Sequence, residues 1–551
     1  MNLTALLDRC DDWINPIVVK ELRQAVKSRV VVSILMLFLG LQLFLLGIFL
    51  LNSVATAGTG NYLNAGLRAF YIQQSILLPT IMIVVPAYAA VRFANERTDH
   101  NADLMFISTL RPISIIWGKF FAAVVLGLLV FSVCAPFMTF TYLLRGIDIP
   151  SILLILGIDL LAMCAAVMTG LTLAAIPGPR PMKFLINFAG FITIFSTCMW
   201  LIGGTLAMLE FGELAESILE NWWLALAVTA GVLLWIGLQS MYAVAMISPA
   251  SANRILPLRI YLLLSVIFSG LMLFLLSRAY SVTLADLGRI LLVLWIGIVM
   301  PLLALQLVIS VCERDHWGPR ITRTIPRNPL GRLLAFLFYT GAAGGVTYSV
   351  GLAIAVLLFG MAWGETFAGS SSINLEHYEV LKFFTVLLLF TFCYCLSAVV
   401  LRFYLFDRQI RPGYTWVLGL LLAGLGSTLP MVVQLIIQFQ RGQFGQQEFP
   451  WWALPNPIWA MAELESRYQR NSDFESVLFP FLMIWAILVA VLSMPWYFGQ
   501  LRRFRPTRKA PTEPAPVLAV EPPPPLPSNI PEQQIDKGHY FSPNPDPSTL
   551  G

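Results

Sequence analysis

The sequence has few charged residues for its length. Only 12% of its 551 residues are Asp, Glu, Lys or Arg, whereas 58% are hydrophobic. The sequence contains a series of apolar runs, most of them without charged residues. Each run is long enough to cross ~30 Å of hydrocarbon as a helix of about 20 residues. This composition excludes a set of soluble domains and indicates an integral membrane protein.

Motifs for catalysis and metal binding are missing as well. No Gly-rich phosphate loop ending in Lys-Ser or Lys-Thr occurs, so we do not expect this chain to bind ATP in that manner. No His-Glu-x-x-His motif occurs, and the four histidines are scattered at His100, His316, His377 and His539. None of the seven cysteines falls in a predicted outside loop, so no disulfide framework is implied. We therefore expect no catalytic residue, no metal and no cofactor.

What is present predicts about twelve membrane-spanning helices. The apolar runs lack the alternation of an outer-membrane barrel, and in lipid only a helix satisfies its own backbone hydrogen bonds. Most of the 35 Lys and Arg residues fall on the side of the N-terminus, which places both chain ends in the cytoplasm. The net charge of +5 is then a consequence of topology and does not indicate nucleic-acid binding. The expected fold is an all-α polytopic helical bundle in the plasma membrane, or in the inner membrane of a bacterium.

The predicted spans divide into two sets of six. Glu96-Arg97-Thr98-Asp99-His100 follows the second span, and Glu313-Arg314-Asp315-His316 follows the eighth. Because six spans separate the two segments, they have the same orientation, which predicts a parallel repeat. Gly118-Lys119 is predicted to open the third span, and Gly331-Arg332 to open the ninth, at 333–361.

Four regions follow from this division. They are a cytoplasmic amphipathic helix at 1–29, a first six-span unit at 30–250, a second at 251–505 and a disordered Pro-rich cytoplasmic tail at 506–551.

The lead-in segment predicts a basic amphipathic helix. Asn15 can cap it and Pro16 can occupy its first turn. Its apolar stripe is expected to face membrane lipids along the inner surface, and consists of Val18, Leu22, Ala25 and Val26. Two interpretations stay open, a docking element for a cytoplasmic partner and a general membrane anchor.

Asp159 is the only acidic residue predicted deep within a span. An ionisable group at that depth is costly unless it faces a cavity or a partner, so Asp159 is an intramembrane polar candidate. The alternative is a protonated or hydrogen-bonded packing residue.

Two segments resemble a known family. Asn15-Pro16 through Arg23, running into the first span, resembles the interfacial elbow helix of type-2 ABC transporter permeases. Glu96-Arg97-Thr98, followed by Leu110-Arg111-Pro112 and Gly118-Lys119, is similar to that family's loop between its second and third spans. The second half resembles the family only loosely, because it has no clear Asn-Pro elbow before residue 258.

The resemblance implies a permease, most naturally of an exporter, that is driven by a separate cytoplasmic ABC ATPase. The residues that would couple the permease to its ATPase are Lys20, Glu21 and Arg23 in the elbow, Glu96, Arg97, Asp99 and His100 in the loop, and Glu313, Arg314, Asp315 and His316 as second-half counterparts. A complete pathway in one chain, a second permease and a homodimer stay open. The alternative function is a membrane scaffold or assembly factor that uses the same fold without moving a substrate.

Overall fold

The computed structural model describes residues 15–55, 65–98, 111–144, 147–178, 180–210, 222–249, 251–279, 287–366, 374–406, 409–441, 451–466 and 473–506. These residues are helical almost throughout, and none of them belongs to a β-strand. Twelve helices within these described residues are long and apolar enough to cross a membrane. The prediction of an all-α, polytopic membrane protein with about twelve spans is confirmed. The predicted tail lies outside the described residues beyond Pro506.

Among the described residues, the first half consists of a short helix followed by six spans. They are α1 (Pro16–Val26), α2 (Arg29–Ala55), α3 (Ala65–Pro79) and α4 (Val85–Thr98), which together form the second span, α5 (Pro112–Leu143), α6 (Ile149–Ala175), α7 (Arg180–Glu210) and α8 (Trp222–Ile247). A π-helical turn, Thr80–Val84, joins α3 to α4. Pro86 has no N–H for the helical ladder, and in the widened turn before it the Val85 N–H donates to the Thr80 carbonyl.

Besides two short 3-10 helices at Pro412–Tyr414 and Trp451–Ala453, the described residues of the second half contain six spans and three short α-helices. They are α9 (Leu256–Ala279), α10 (Leu287–Val311), α11 (Pro319–Thr322), α12 (Pro329–Phe338), α13 (Ala342–Glu365), α14 (Asn374–Tyr404), α15 (Thr415–Arg441), α16 (Pro457–Ser466) and α17 (Asp473–Arg503). The short ones are α11, α12 and α16.

The predicted start of the ninth span is wrong. Gly331 and Arg332 lie in α12, a separate helix of ten residues, and the span itself begins at Ala342. The backbone leaves the helical conformation at Tyr339, and three residues pass before α13 starts. A hydropathy profile shows one continuous apolar run here, because the break from Tyr339 to Gly341 contains no charged residue.

The same helix neighbours recur in the two halves. In the first half, the second span packs on the third and fourth spans, and the fourth packs on the fifth and sixth. Six spans later, the eighth packs on the ninth and tenth, and the tenth packs on the eleventh and twelfth. The halves meet where the sixth span packs on the seventh.

Candidate functional site

The helix α1, which we call the elbow, is anchored at its N-terminus by the Asn15 side chain, which both accepts and donates hydrogen bonds. The Asn15 side-chain oxygen Oδ1 accepts a hydrogen bond from the Ile17 N–H at 3.1 Å, which caps the helix as predicted. The Asn15 amide donates to the Ser114 carbonyl at 2.7 Å and to the Ser114 hydroxyl at 3.0 Å. Ser114 is in the first turn of α5, so the cap of the elbow is also its tether to the third span.

The buried face of the elbow differs from the predicted stripe. Val18, Glu21 and Ala25 are buried, whereas Val26 is 70% exposed. The buried side chains pack on the protein, chiefly on α5, and do not face lipid. Glu21 lies on this buried face, where apolar residues were expected, because its carboxylate pairs with a lysine of α5.

That lysine is Lys119, whose ammonium group lies between two carboxylates. The Lys119 Nζ is 2.5 Å from the Glu21 Oε1 and 2.6 Å from the Glu96 Oε2. The other Glu21 oxygen is 3.1 Å from the Arg92 Nε. We call Glu21, Arg92, Glu96 and Lys119 the Lys119 cluster. It joins the elbow, the end of the second span and the start of the third.

Burial makes the Lys119 cluster a structural joint. The side chains of Lys119 and Glu21 are only 6% and 7% exposed, while that of Glu96 is 26% exposed. Lys119 also lies 5.5 Å from the centre of the Phe93 ring. A buried ammonium is tolerated when carboxylates and an aromatic face surround it, as here.

The remaining first-half candidates divide into inward-facing and outward-facing residues. Arg97 donates to the carbonyls of Ala174 and Ala175, the last residues of α6. Lys20 is exposed and its Nζ is 3.9 Å from the Glu96 Oε1, while Arg23 is exposed on the same helix. Glu21, Glu96 and Arg97 therefore hold helices together, and Lys20 and Arg23 face outward. Asp99 and His100 lie outside the described residues.

The second half has its own buried ion pair, between Arg259 and Glu313. The Arg259 Nη2 is 2.5 Å from the Glu313 Oε1, and the two side chains are 0% and 2% exposed. Arg259 Nη1 donates to the Leu337 and Tyr339 carbonyls at 2.8 and 2.6 Å, and Glu313 Oε2 accepts from the Gly341 N–H at 2.6 Å.

We call Arg259, Glu313 and the backbone from Leu337 to Gly341 the Arg259 cluster. It joins the seventh span, the end of the eighth and the segment that leads into the ninth. Burial raises the pKa of the Glu313 carboxyl, while Arg259 and the Gly341 N–H act in the opposite direction.

Asp315 ties the end of the eighth span to the tenth and twelfth. Its carboxylate accepts from the Arg402 guanidinium at 2.8 Å, from the Gln500 amide at 2.7 Å and from the Trp496 indole at 3.1 Å. His316 Nδ1 lies 3.2 Å from the Arg503 Nη1. Arg314 is exposed. Glu313 and Asp315 are thus internal joints, and only Arg314 and His316 stand at the surface.

Asp159 lies in a polar layer inside the first half. It is fully buried, and its Oδ2 accepts from the Gln74 amide at 2.5 Å. Gln42 and Gln73 are also fully buried, and the Gln42 side-chain amide donates to the Gln73 backbone carbonyl at 3.4 Å. The layer has spare hydrogen-bonding capacity, because Gln73 has both side-chain polar atoms without a hydrogen-bond partner, and Gln42, Gln74 and Asp159 each have one oxygen without a partner. These groups support the role of Asp159 as an intramembrane polar candidate and leave open whether it packs helices or lines a path.

Sequence reasoning did not name several of the residues that hold these joints. Gly118 and Lys119 do not open the third span as predicted, because α5 begins at Pro112 and they lie within it. A cation inside such a span is itself a signal of a buried partner. Arg92, Arg259 and Arg402 gave the same signal, since each is a cation within or at the end of an apolar run. Among the described residues, no group of His, Cys, Asp and Glu is arranged to hold a metal ion.

Comparison with known proteins identifies no relative: no family model matches the chain, and neither does any curated protein or solved structure.

Proposed function

We propose that this chain is the membrane-spanning permease subunit of an ATP-driven transporter of the type-2 ABC class, an exporter that a separate cytoplasmic ATPase drives. The observation that carries the proposal is the Lys119 cluster. It joins an Asn-Pro-capped elbow helix to both ends of the segment between the second and third spans, where the resemblance expects an ATPase to bind.

The mechanism follows from how tightly these parts are joined. Lys119 binds Glu21 of the elbow and Glu96 of the second span at 2.5 and 2.6 Å. A partner that moves the elbow therefore moves the ends of the second and third spans with it. The second span packs in turn on the third and fourth, so the displacement reaches the interior of the first six-span unit. Such a joint transmits force and needs no chemistry of its own.

The recurrence of helix neighbours supports a second six-span unit in the same chain. On this proposal the two units move against each other across the contact of the sixth and seventh spans, and one chain provides both walls of a pathway. The N-terminus and C-terminus would lie in the cytoplasm of a cell whose plasma or inner membrane holds the protein. Pairing with a second permease or with another copy of this chain would add walls to the pathway without changing the joint.

The experiment is to reconstitute the full chain with a candidate ABC ATPase and to reverse the outward-facing charges, as Lys20→Glu/Arg23→Glu. We expect the chain to stimulate the ATPase and the double variant to lose most of that stimulation, because exposed charges are where a soluble partner can bind. Lys183→Glu is the matched control, since this exposed lysine lies at the start of α7 and outside the elbow.

Glu96 and Arg97 are unsuitable for this test because they hold helices together. An ATPase that responds equally to the wild type and to the Lys20→Glu/Arg23→Glu variant would overturn coupling through the elbow. A chain that stimulates no ABC ATPase would favour the membrane scaffold.

A further inference from the structure

The helix α12 packs on the same pair of spans in the second half that the elbow packs on in the first. The elbow α1 packs against α2 and α5, the first and third spans of its half. The helix α12 packs against α9 and α13, again the first and third spans of its half. Both helices begin with Asn-Pro, at Asn15-Pro16 and Asn328-Pro329, and both place the proline at the first helical position.

The outward face of α12 is a stripe of leucines. Leu330, Leu333 and Leu334 are 75%, 55% and 58% exposed, and their spacing places them on one side of the helix. On the other side, Ala335 and Phe336 are buried, and Phe336 lies 5.5 Å from Phe504 between ring centres. The inward face of α12 therefore packs on the protein, whereas the leucine stripe is exposed at its surface.

The surroundings of α12 carry excess positive charge. Arg320, Arg323 and Arg327 precede the helix and are exposed, and none of them has an ion pair within the described residues. The acidic residues nearby are already neutralised, since Glu313 binds Arg259 and Asp315 binds Arg402. The end of α17 adds more exposed arginines, held close to α12 by Phe504: Arg502, Arg503 and Arg505.

We propose that α12 is a second surface helix of this membrane protein, which inserts its leucine stripe into the lipid leaflet at the elbow end of the bundle while the arginines bind anionic headgroups. The position of the helix favours lipid as the occupant. Only Tyr339, Thr340 and Gly341 separate α12 from the ninth span, so the C-terminus of α12 lies within about 14 Å of the helix end where that span begins.

The chemistry of the stripe also favours lipid over a protein partner. Protein hot spots are rich in Trp, Tyr and Arg and poor in Leu, whereas an interfacial helix combines an aliphatic face with flanking basic residues. The proposal does not rest on an ATPase partner, because the helix and its charges are complete within this chain.

Depth measurement on the full chain tests the leucine stripe. A ketone-bearing amino acid at position 333 takes a spin label without involving the native cysteines, and the protein is placed in vesicles of phosphatidylcholine and phosphatidylglycerol. We expect collisions with oxygen to dominate over collisions with an aqueous nickel chelate at position 333, and the reverse for the same label at position 320. A label at 333 that meets the aqueous chelate as often as the label at 320 would overturn insertion of the stripe.

The arginines are tested by lipid dependence. Arg323→Gln/Arg327→Gln is compared with the wild type for its retention of phosphatidylglycerol on purification from the same vesicles. We expect retention to fall about fivefold for each arginine removed, and thermal stability in pure phosphatidylcholine vesicles to be unchanged. Equal retention by variant and wild type would refute anionic headgroup binding by these arginines. Both measurements use this chain alone. Their outcome therefore does not depend on whether the chain stimulates an ABC ATPase.

Discussion

The Lys119 and Arg259 clusters both hold the end of the second span of their half, yet only one of them has an edge that water reaches. In the Arg259 cluster both charged side chains are essentially inaccessible, at 0% and 2% exposure. In the Lys119 cluster Glu96 is 26% exposed and Lys20 stands beside it with 59% exposure. The same mechanical task is thus performed by a sealed joint in one half and by a joint with an open edge in the other.

The difference has a direct bearing on function. A sealed ion pair can fix helices but cannot be reached by a partner protein. An open edge lets a partner contact the joint without dismantling it. If an ATPase acts on this protein, the Lys119 cluster therefore offers it a charged contact at the protein surface that the Arg259 cluster does not.

The largest expected effect is from Arg259→Met. The substitution leaves Glu313 buried and hydrogen-bonded to the Gly341 N–H without its ion-pair partner, and breaking a fully buried pair costs about 3–5 kcal/mol. We expect a large fall in the midpoint of thermal unfolding of the purified protein in detergent micelles.

The double variant Arg259→Met/Glu313→Leu is its control, because removing both charges removes the unpaired carboxylate as well. It is expected to recover most of the lost stability. An Arg259→Met protein as stable as the wild type would mean that the Arg259 cluster is not the joint described above.

Lys119→Met is expected to have a smaller effect, of about 2 kcal/mol. Glu21 would keep Arg92 at 3.1 Å, and Glu96 would turn to water and to Lys20. The same unfolding measurement, made side by side with Arg259→Met, ranks the two joints. A loss from Lys119→Met that equals or exceeds the loss from Arg259→Met would reverse the distinction between the open joint and the sealed one.

The sequence alone predicted what depends on local pattern. Twelve spans follow from length and apolarity, and the elbow follows from Asn15-Pro16, because capping and hydropathy act within a few residues. The partners of Lys119 did not follow, since Glu21 is 98 positions away and meets Lys119 only once α1 has packed on α5.

The helix α12 was missed for a different reason. Its apolar residues run into those of α13, and a hydropathy average does not register a turn made of Tyr339, Thr340 and Gly341. The available signal was Asn328-Pro329, the same dipeptide that marks the elbow. Capping residues therefore mark a helix start that hydropathy does not resolve.

Gly118→Val would test the close packing of α1 on α5 without changing any of the charged residues of the Lys119 cluster. A Cβ at this position would lie 2.8 Å from the Ile17 Cβ, closer than two carbons can sit, so α1 must shift away from α5. We expect a loss of about 1–2 kcal/mol in unfolding free energy. Gly351→Val is the control for the effect of valine in a helix, because a Cβ at Gly351 would meet no heavy atom within 4 Å beyond its own turn of helix. Equal losses in the two variants would show that the close approach at Gly118 contributes nothing to docking.

The smallest effect is expected from Lys20→Ala, and it bears most directly on the open edge. The Lys20 Nζ is 3.9 Å from the Glu96 Oε1 and the side chain is 59% exposed, so the pair is worth less than about 0.5 kcal/mol. A double-mutant cycle with Glu96→Gln measures this coupling from four unfolding midpoints. A coupling well above that value would make Lys20 part of the internal joint and would remove the open edge from the first half. A coupling near zero would leave Lys20 energetically free of the fold, as a residue that binds a partner needs to be.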